Sequence, residues 1–178
     1  GMLVVSGGYG YGKTHMVELA EADALERGFL VARATFDPVE VPPSHPLRLY
    51  GALVRGLVYP DGPGRGLRPL LEALGDRPGH LVGDAAHRWL SPALFAVHRA
   101  PAGLAEAVLD FVGGQTPAKA QDLSRELRRA GFKGENMLAL PDYRTFGQIM
   151  AHLLGGVATW ARDAGYQGLV VLLDEAEY

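Results

Sequence analysis

Gly7-Gly8-Tyr9-Gly10-Tyr11-Gly12-Lys13-Thr14 match the pattern G-x-x-x-x-G-K-[ST]. A triphosphate needs several backbone N–H groups turned toward it, and glycine-rich turns expose them without Cβ clashes. Lys13 supplies a mobile positive charge for the β and γ oxygens, and the Thr14 hydroxyl is placed to ligate magnesium. Near the other end, Val170-Val171-Leu172-Leu173-Asp174-Glu175 carries four apolar residues into an Asp-Glu pair. A buried strand would deliver Asp174 to the sheet edge, into the magnesium shell beside Thr14. Glu175 would then serve as general base or orient an attacking water. A kinase of small metabolites usually lacks this second acid, because its nucleophile is a substrate hydroxyl. The pair therefore favours water.

Each of these readings has a plainer rival. A glycine-rich sequence can match the loop pattern by accident, and two acids can simply begin a solvated loop. The rival weakens where both motifs occur in one chain and the loop has a strand before it and a helix after it. Tyr9 and Tyr11 belong to the binding loop, with rings expected to pack at its edges. His15 follows Thr14 and is counted with the nucleotide-binding set, although a helix residue packed beside the loop is the plainer reading. Glu177 reads as surface. The six histidines, His15, His45, His80, His87, His98 and His152, form no zinc spacing. Lys119, Arg125, Arg128, Arg129 and Lys133 are diluted by Asp122 and Glu126, which reads as a solvated helix face.

The elements that position these groups follow from pattern. Met2–Ser6 is apolar and β-branched, and reads as a buried strand. Lys13 to Arg27 contains no Pro or Gly and predicts a helix stopped by Gly28. Phe29–Phe36 predicts a second strand, parallel to the first through a right-handed crossover. Pro-rich Asp37–Pro46 predicts an extended loop. Helices are predicted over Leu47–Tyr59, Leu67–Leu74, Val82–His98, Leu104–Val112 and Ala118–Ala130, with Pro60–Gly66 a loop. Phe146, Ile149, Met150, Leu153, Val157 and Trp160 make one apolar stripe on a last helix, capped by Asp142 and ended by Gly165. Gly155 and Gly156 inside it lower helix propensity and mark a kink or a close contact. Leu169–Leu173 predicts a third buried strand.

The composition, 48% hydrophobic and 21% charged over 178 residues, fits a folded globular chain. A net charge of -3 argues against a generic nucleic-acid coat. Without cysteine there is neither a disulfide framework nor a thiolate metal site. No apolar run reaches membrane-spanning length, and a cytoplasmic location is expected. Gly1 before Met2 has the look of a tag scar. Tyr178 falls directly after a strand and an acidic pair, which suggests a fragment of a longer chain.

The loop GGYGYGKTH, the run RDAGYQGLVVLLDEAEY and the segment VLDFVGGQTPAKA resemble a family of P-loop ATP-binding proteins. That family includes the ATP-binding component of BREX-type phage-defence systems and many members of unknown role. The resemblance implies Walker A roles for Lys13 and Thr14 and Walker B roles for Asp174 and Glu175. It implies an α/β fold: a parallel P-loop sheet of the AAA-like, additional-strand type, with a large helical insertion between its second and third core strands. On this reading residues 1–37 form the first part of the core, 38–165 the insertion, and 166–178 the Walker B strand of the same core. The later strands, a sensor residue and an arginine finger are not in the sequence, so little hydrolysis is expected of residues 1–178. The expected ligands are ATP and Mg2+, and the expected function is an ATPase that drives a conformational or assembly change. A nucleotide-dependent binding module with little hydrolysis is the alternative. Self-association or protein partners are expected, with nucleic acid reached only through a partner.

Overall fold

The structure, a computed structural model, describes residues 1–6, 11–37, 39–41, 45–114, 119–138 and 146–175. Helix α1 (Lys13–Glu26) begins directly after Gly12. It ends where Gly28 takes φ 81° and Phe29 N–H reaches back to the Ala24 carbonyl. The chain then enters strand β1 (Leu30–Thr35). Helix α2 (Pro46–Arg55) follows, then strands β2 (Val58–Tyr59) and β3 (Gly62–Arg65). Helices α3 (Arg68–Leu74), α4 (Pro78–Leu81), α5 (Ser91–Arg99), α6 (Ala102–Val112), α7 (Ala120–Arg129) and α8 (Phe146–Asp163) lead to strand β4 (Leu169–Asp174). The result is an α/β arrangement around a mixed four-stranded sheet of order β3-β2-β1-β4.

β1 and β4 run parallel, from Leu30 opposite Leu169 to Thr35 opposite Asp174. α1 packs across both. The alternation of side chains along β1 divides the sheet. Leu30, Ala32 and Ala34 enter the main apolar core. Arg33 and Thr35 therefore face the other way, toward α1.

Three expectations are corrected. Met2–Ser6 is not a strand: Met2 is 90% and Leu3 88% exposed. The expected pairing with β1 is not formed: β4 occupies one edge of β1, and on the other edge Val31 pairs with Val58 of β2. The sheet is also not wholly parallel. Pro60–Gly66, expected as a loop, contains β3, and the β2–β3 hairpin joins the sheet antiparallel to β1. Tyr59 fixes that hairpin to α3: its hydroxyl donates to the Gly66 carbonyl at 2.7 Å and accepts from Leu70 N–H at 3.0 Å. Finally, the helix expected over Val82–His98 forms only in its second half: α4 ends at Leu81, residues 82–90 are turns and loop, and α5 begins at Ser91. Gly83 separates them at φ 147°, where a Cβ would press on the Gly79 carbonyl.

The remaining helices follow their patterns. In α7, Ala120, Leu123, Ser124 and Leu127 are buried while Arg125, Arg128 and Arg129 are exposed. In α8, Met150, Leu153, Val157 and Trp160 are buried, and Gly165 at φ 103° closes the helix end. The proposed cap Asp142 lies outside the described residues. At the centre, α5 is buried from Ser91 to Ala96. The Trp89 indole beside it donates to Tyr50 Oη and to the Val112 carbonyl, both at 3.1 Å. Burial pushes the Tyr50 phenol up, so it stays neutral.

The two glycines of α8 differ. Gly155 is exposed with open space around it, whereas the His87 ring lies against Gly156. Gly155→Ala should therefore stabilise the fold by about 1 kcal/mol through helix propensity. Gly156→Ala should destabilise it by about 1–3 kcal/mol by overpacking the His87 ring. Urea unfolding of the two variants checks this, and an equal effect of both would refute it.

His87 is a neutral core histidine. Its Nδ1 faces the Trp89 and Leu90 N–H groups at 3.3 Å, so Nε2 carries the proton and donates to the His152 carbonyl at 3.4 Å. Burial, and secondarily the neighbouring His152 with which it stacks, lowers its pKa from 6.5 to about 4. The unfolded chain therefore takes up this proton first as the pH falls. The His87 contribution to stability is full above about pH 6.5 and is lost progressively down to about pH 4. Thermal melts of wild type and His87→Gln should converge across that window on acidification; a constant gap would refute the assignment.

Candidate functional site

Three elements position the residues that the sequence singles out. The first is the start of α1. Gly12 holds φ 75° and ψ 21°, a left-handed conformation that glycine adopts without strain. The Gly12 carbonyl accepts the first helical bond, from Met16 N–H at 3.0 Å. No side chain caps this end and no acid sits in its first turn. Its leading N–H groups and its positive dipole end suit an anion. Lys13 is half-buried; Thr14, His15 and Tyr11 are exposed. His15 stands 3.6 Å from Glu18 in a solvent-exposed pair. Gly7, Gly8, Tyr9 and Gly10 lie outside the described residues.

The second element is the end of β4. The parallel register places Asp174 beside Thr35, and the Asp174 carbonyl accepts Phe36 N–H at 3.0 Å. Asp174 is buried, at 6% exposure, among mostly apolar neighbours in sequence. Its Oδ1 accepts the Glu175 N–H at 3.0 Å. Glu175 follows at φ 55°, a left-handed conformation that no other non-glycine residue among those described adopts. That geometry costs roughly 1–2 kcal/mol for a residue with a Cβ. It turns the chain sharply at the strand's end, where the acid side chain is exposed. Glu177 lies outside the described residues.

The third element escaped the sequence reading. Arg33 stands in the middle of β1, and its guanidinium lies between two acids. One nitrogen meets Glu21 Oε2 of α1 at 3.3 Å, and the other stands 3.6 Å from Asp174 Oδ2. The signal was available: a charge inside the apolar run FLVARATF needs a partner if that run is a buried strand.

Asp174 offers a buried carboxylate and Thr14 an exposed hydroxyl. Among the described residues no group of three or more His, Cys, Asp or Glu could hold a metal by itself. No helix of the described residues is long and apolar enough to cross a membrane.

The backbone at Glu175 gives a direct test. Glu175→Gly should leave stability unchanged or raise it by up to about 1 kcal/mol, because glycine relieves the left-handed strain. Glu175→Val should lower stability by more than about 1 kcal/mol, since a β-branched side chain tolerates that conformation worst. Equal denaturation midpoints for the two variants would show that the turn is not fixed by this residue.

The family described as BREX system ATP-binding protein BrxC/D matches residues 2–75. Over this stretch, less than half of its length, the chain is similar to that family. The match takes in the glycine loop, α1, β1 and the β2–β3 hairpin, and stops before Asp174. No curated protein and no solved structure matches the chain.

Proposed function

We propose that this relative of the BREX ATP-binding proteins binds ATP with magnesium and belongs to an ATPase whose cycle drives a conformational or assembly change. One observation carries the reading. The helix that follows the G-x-x-x-x-G-K-T loop packs on β4, the strand that ends in Asp174 and Glu175. The two motifs, separated by most of the sequence, thus belong to neighbouring elements of one sheet layer.

In this reading the loop Gly7, Gly8, Tyr9, Gly10, Tyr11 and Gly12 wraps the phosphates with backbone N–H groups, and α1 aims its positive end at them. Lys13 balances charge on the β and γ oxygens. Thr14 and Asp174, oxygen donors of the kind Mg2+ takes, would hold the ion, whose charge would offset that of the phosphate oxygens. Glu175 takes the proton of the attacking water. Its left-handed backbone supports this role, since strained conformations cluster at functional sites. Residues 1–37 and 166–178 form the nucleotide core, and 38–165 form an inserted, mainly helical body. His15 lies at the edge of the phosphate site.

Calorimetric titration of ATP and adenosine tests the binding half. Lys13→Ala should weaken ATP about 10- to 100-fold, the worth of a charged hydrogen bond, and leave adenosine unchanged. Unaltered ATP affinity would sink the phosphate-loop reading. Turnover tests the other half, in an assembly that hydrolyses ATP. There Glu175→Gln should keep ATP binding and abolish hydrolysis, because the amide cannot accept a proton from water. Full turnover by that variant would leave the nucleotide-dependent binding module as the better account.

A further inference from the structure

We propose that Arg33 is a positioning residue for Asp174, bridging it to Glu21 as its counter-ion until a magnesium ion takes that place, and then remaining on Glu21 alone. The inference rests on the ATP–magnesium reading above and adds a regulatory step to the same site.

The geometry supplies each part. Asp174 is almost wholly buried, and a carboxylate in such surroundings needs a compensating charge. Its Oδ1 is taken by the Glu175 N–H, which fixes the carboxylate plane at the strand end. Its Oδ2 is the oxygen turned toward Arg33, at 3.6 Å. That distance is an ion pair without a hydrogen bond, so Arg33 neutralises Asp174 but does not lock it. The same guanidinium already meets Glu21 at 3.3 Å. Arg33 and Glu21 are about a quarter exposed, against 7% for the Asp174 side chain. The arginine can thus move toward the wetter partner at little desolvation cost.

A magnesium ion at Asp174 would change the balance, since its charge would satisfy the buried carboxylate and leave the guanidinium beside it unneeded there. Glu21, already hydrogen-bonded to Arg33, would keep it. Glu21 lies on α1, the helix that opens with Lys13 and Thr14. Arg33 held by Glu21 alone would then keep β1 tied to that helix while releasing Asp174.

The test compares ATP affinity in magnesium chloride with ATP affinity in EDTA. Glu21→Gln removes the other carboxylate and leaves Arg33 on Asp174. It should lower ATP affinity at least about fivefold in magnesium and leave the EDTA value unchanged. Arg33→Met removes the competing cation, so its ratio of magnesium to EDTA affinity should exceed that of wild type by a similar factor. Arg33→Lys should return the ratio toward wild type. A melting-temperature cycle of Arg33→Met with Asp174→Asn needs no nucleotide. The arginine substitution should lower the melting temperature in wild type and much less in the Asp174→Asn background, since the charge it compensates is then gone.

Magnesium and EDTA affinities that shift equally in Glu21→Gln and Arg33→Met, or an additive melting cycle, would overturn the counter-ion role while the ATP reading stands. A wild-type chain that binds no ATP in either buffer would overturn both together.

Discussion

The parallel register of β1 and β4 is the constraint on which the site depends. It joins residues on either side of the whole helical stretch, from Leu30 beside Leu169 to Thr35 beside Asp174. Closing so long a loop costs entropy, but the cost grows only with the logarithm of its length. The helices between the strands bury their own apolar faces against one another and against one face of β1. A register slip of one residue would turn Asp174 to the opposite face and put Leu173 beside Thr35. Arg33 opposes such a slip, because its charge needs the carboxylate that this register provides.

The same register explains why the two faces of β1 differ. Small residues, Ala32 and Ala34, meet the helical core, where bulk would push the sheet from α2. Arg33 and Thr35 face α1, whose contribution to the buried core is the single residue Ala24. The densely packed side is confined to β1: beside Ala32 and Ala34, the β4 residues Val171 and Leu173 remain exposed.

Much of this was legible in the sequence, for identifiable reasons. The stops at Gly28 and Gly165 are chemical necessities of left-handed helix ends, so both helix limits could be read. The β1 and β4 runs were readable as strands because parallel strands are apolar throughout, but only β1 is buried as expected: in β4 Val171 and Leu173 are exposed and Asp174 alone is buried. The hairpin was hidden because Gly62-Pro63-Gly64-Arg65 carries no strand propensity; its place is set by Tyr59 bonding to Gly66 and Leu70. Met2–Ser6 misled for the converse reason. Its composition is that of a strand, but pairing is a tertiary matter that composition does not decide, and β1 takes β4 and β2 as its neighbours. At the site, the acids Asp174 and Glu175 announced themselves by position, whereas Arg33 required knowing which strand lies beside β4.

Glycine content shows how local rules and tertiary packing part company. Gly155 and Gly156 are adjacent in one helix and equally unfavourable by propensity. The fold uses only the second, as a seat for the His87 ring. That ring is held by the Trp89 and Leu90 N–H groups at the entry to α5, the most buried helix of the bundle. Gly156 therefore joins α8 to α5, and α8 leads directly into β4. The position of Asp174 thus depends on helical packing far from it in sequence as well as on its pairing with β1. A helical body that couples to the strand carrying Asp174 in this way is mechanically suited to sense or transmit a change at the nucleotide, which is the use an ATP-driven conformational cycle would make of it.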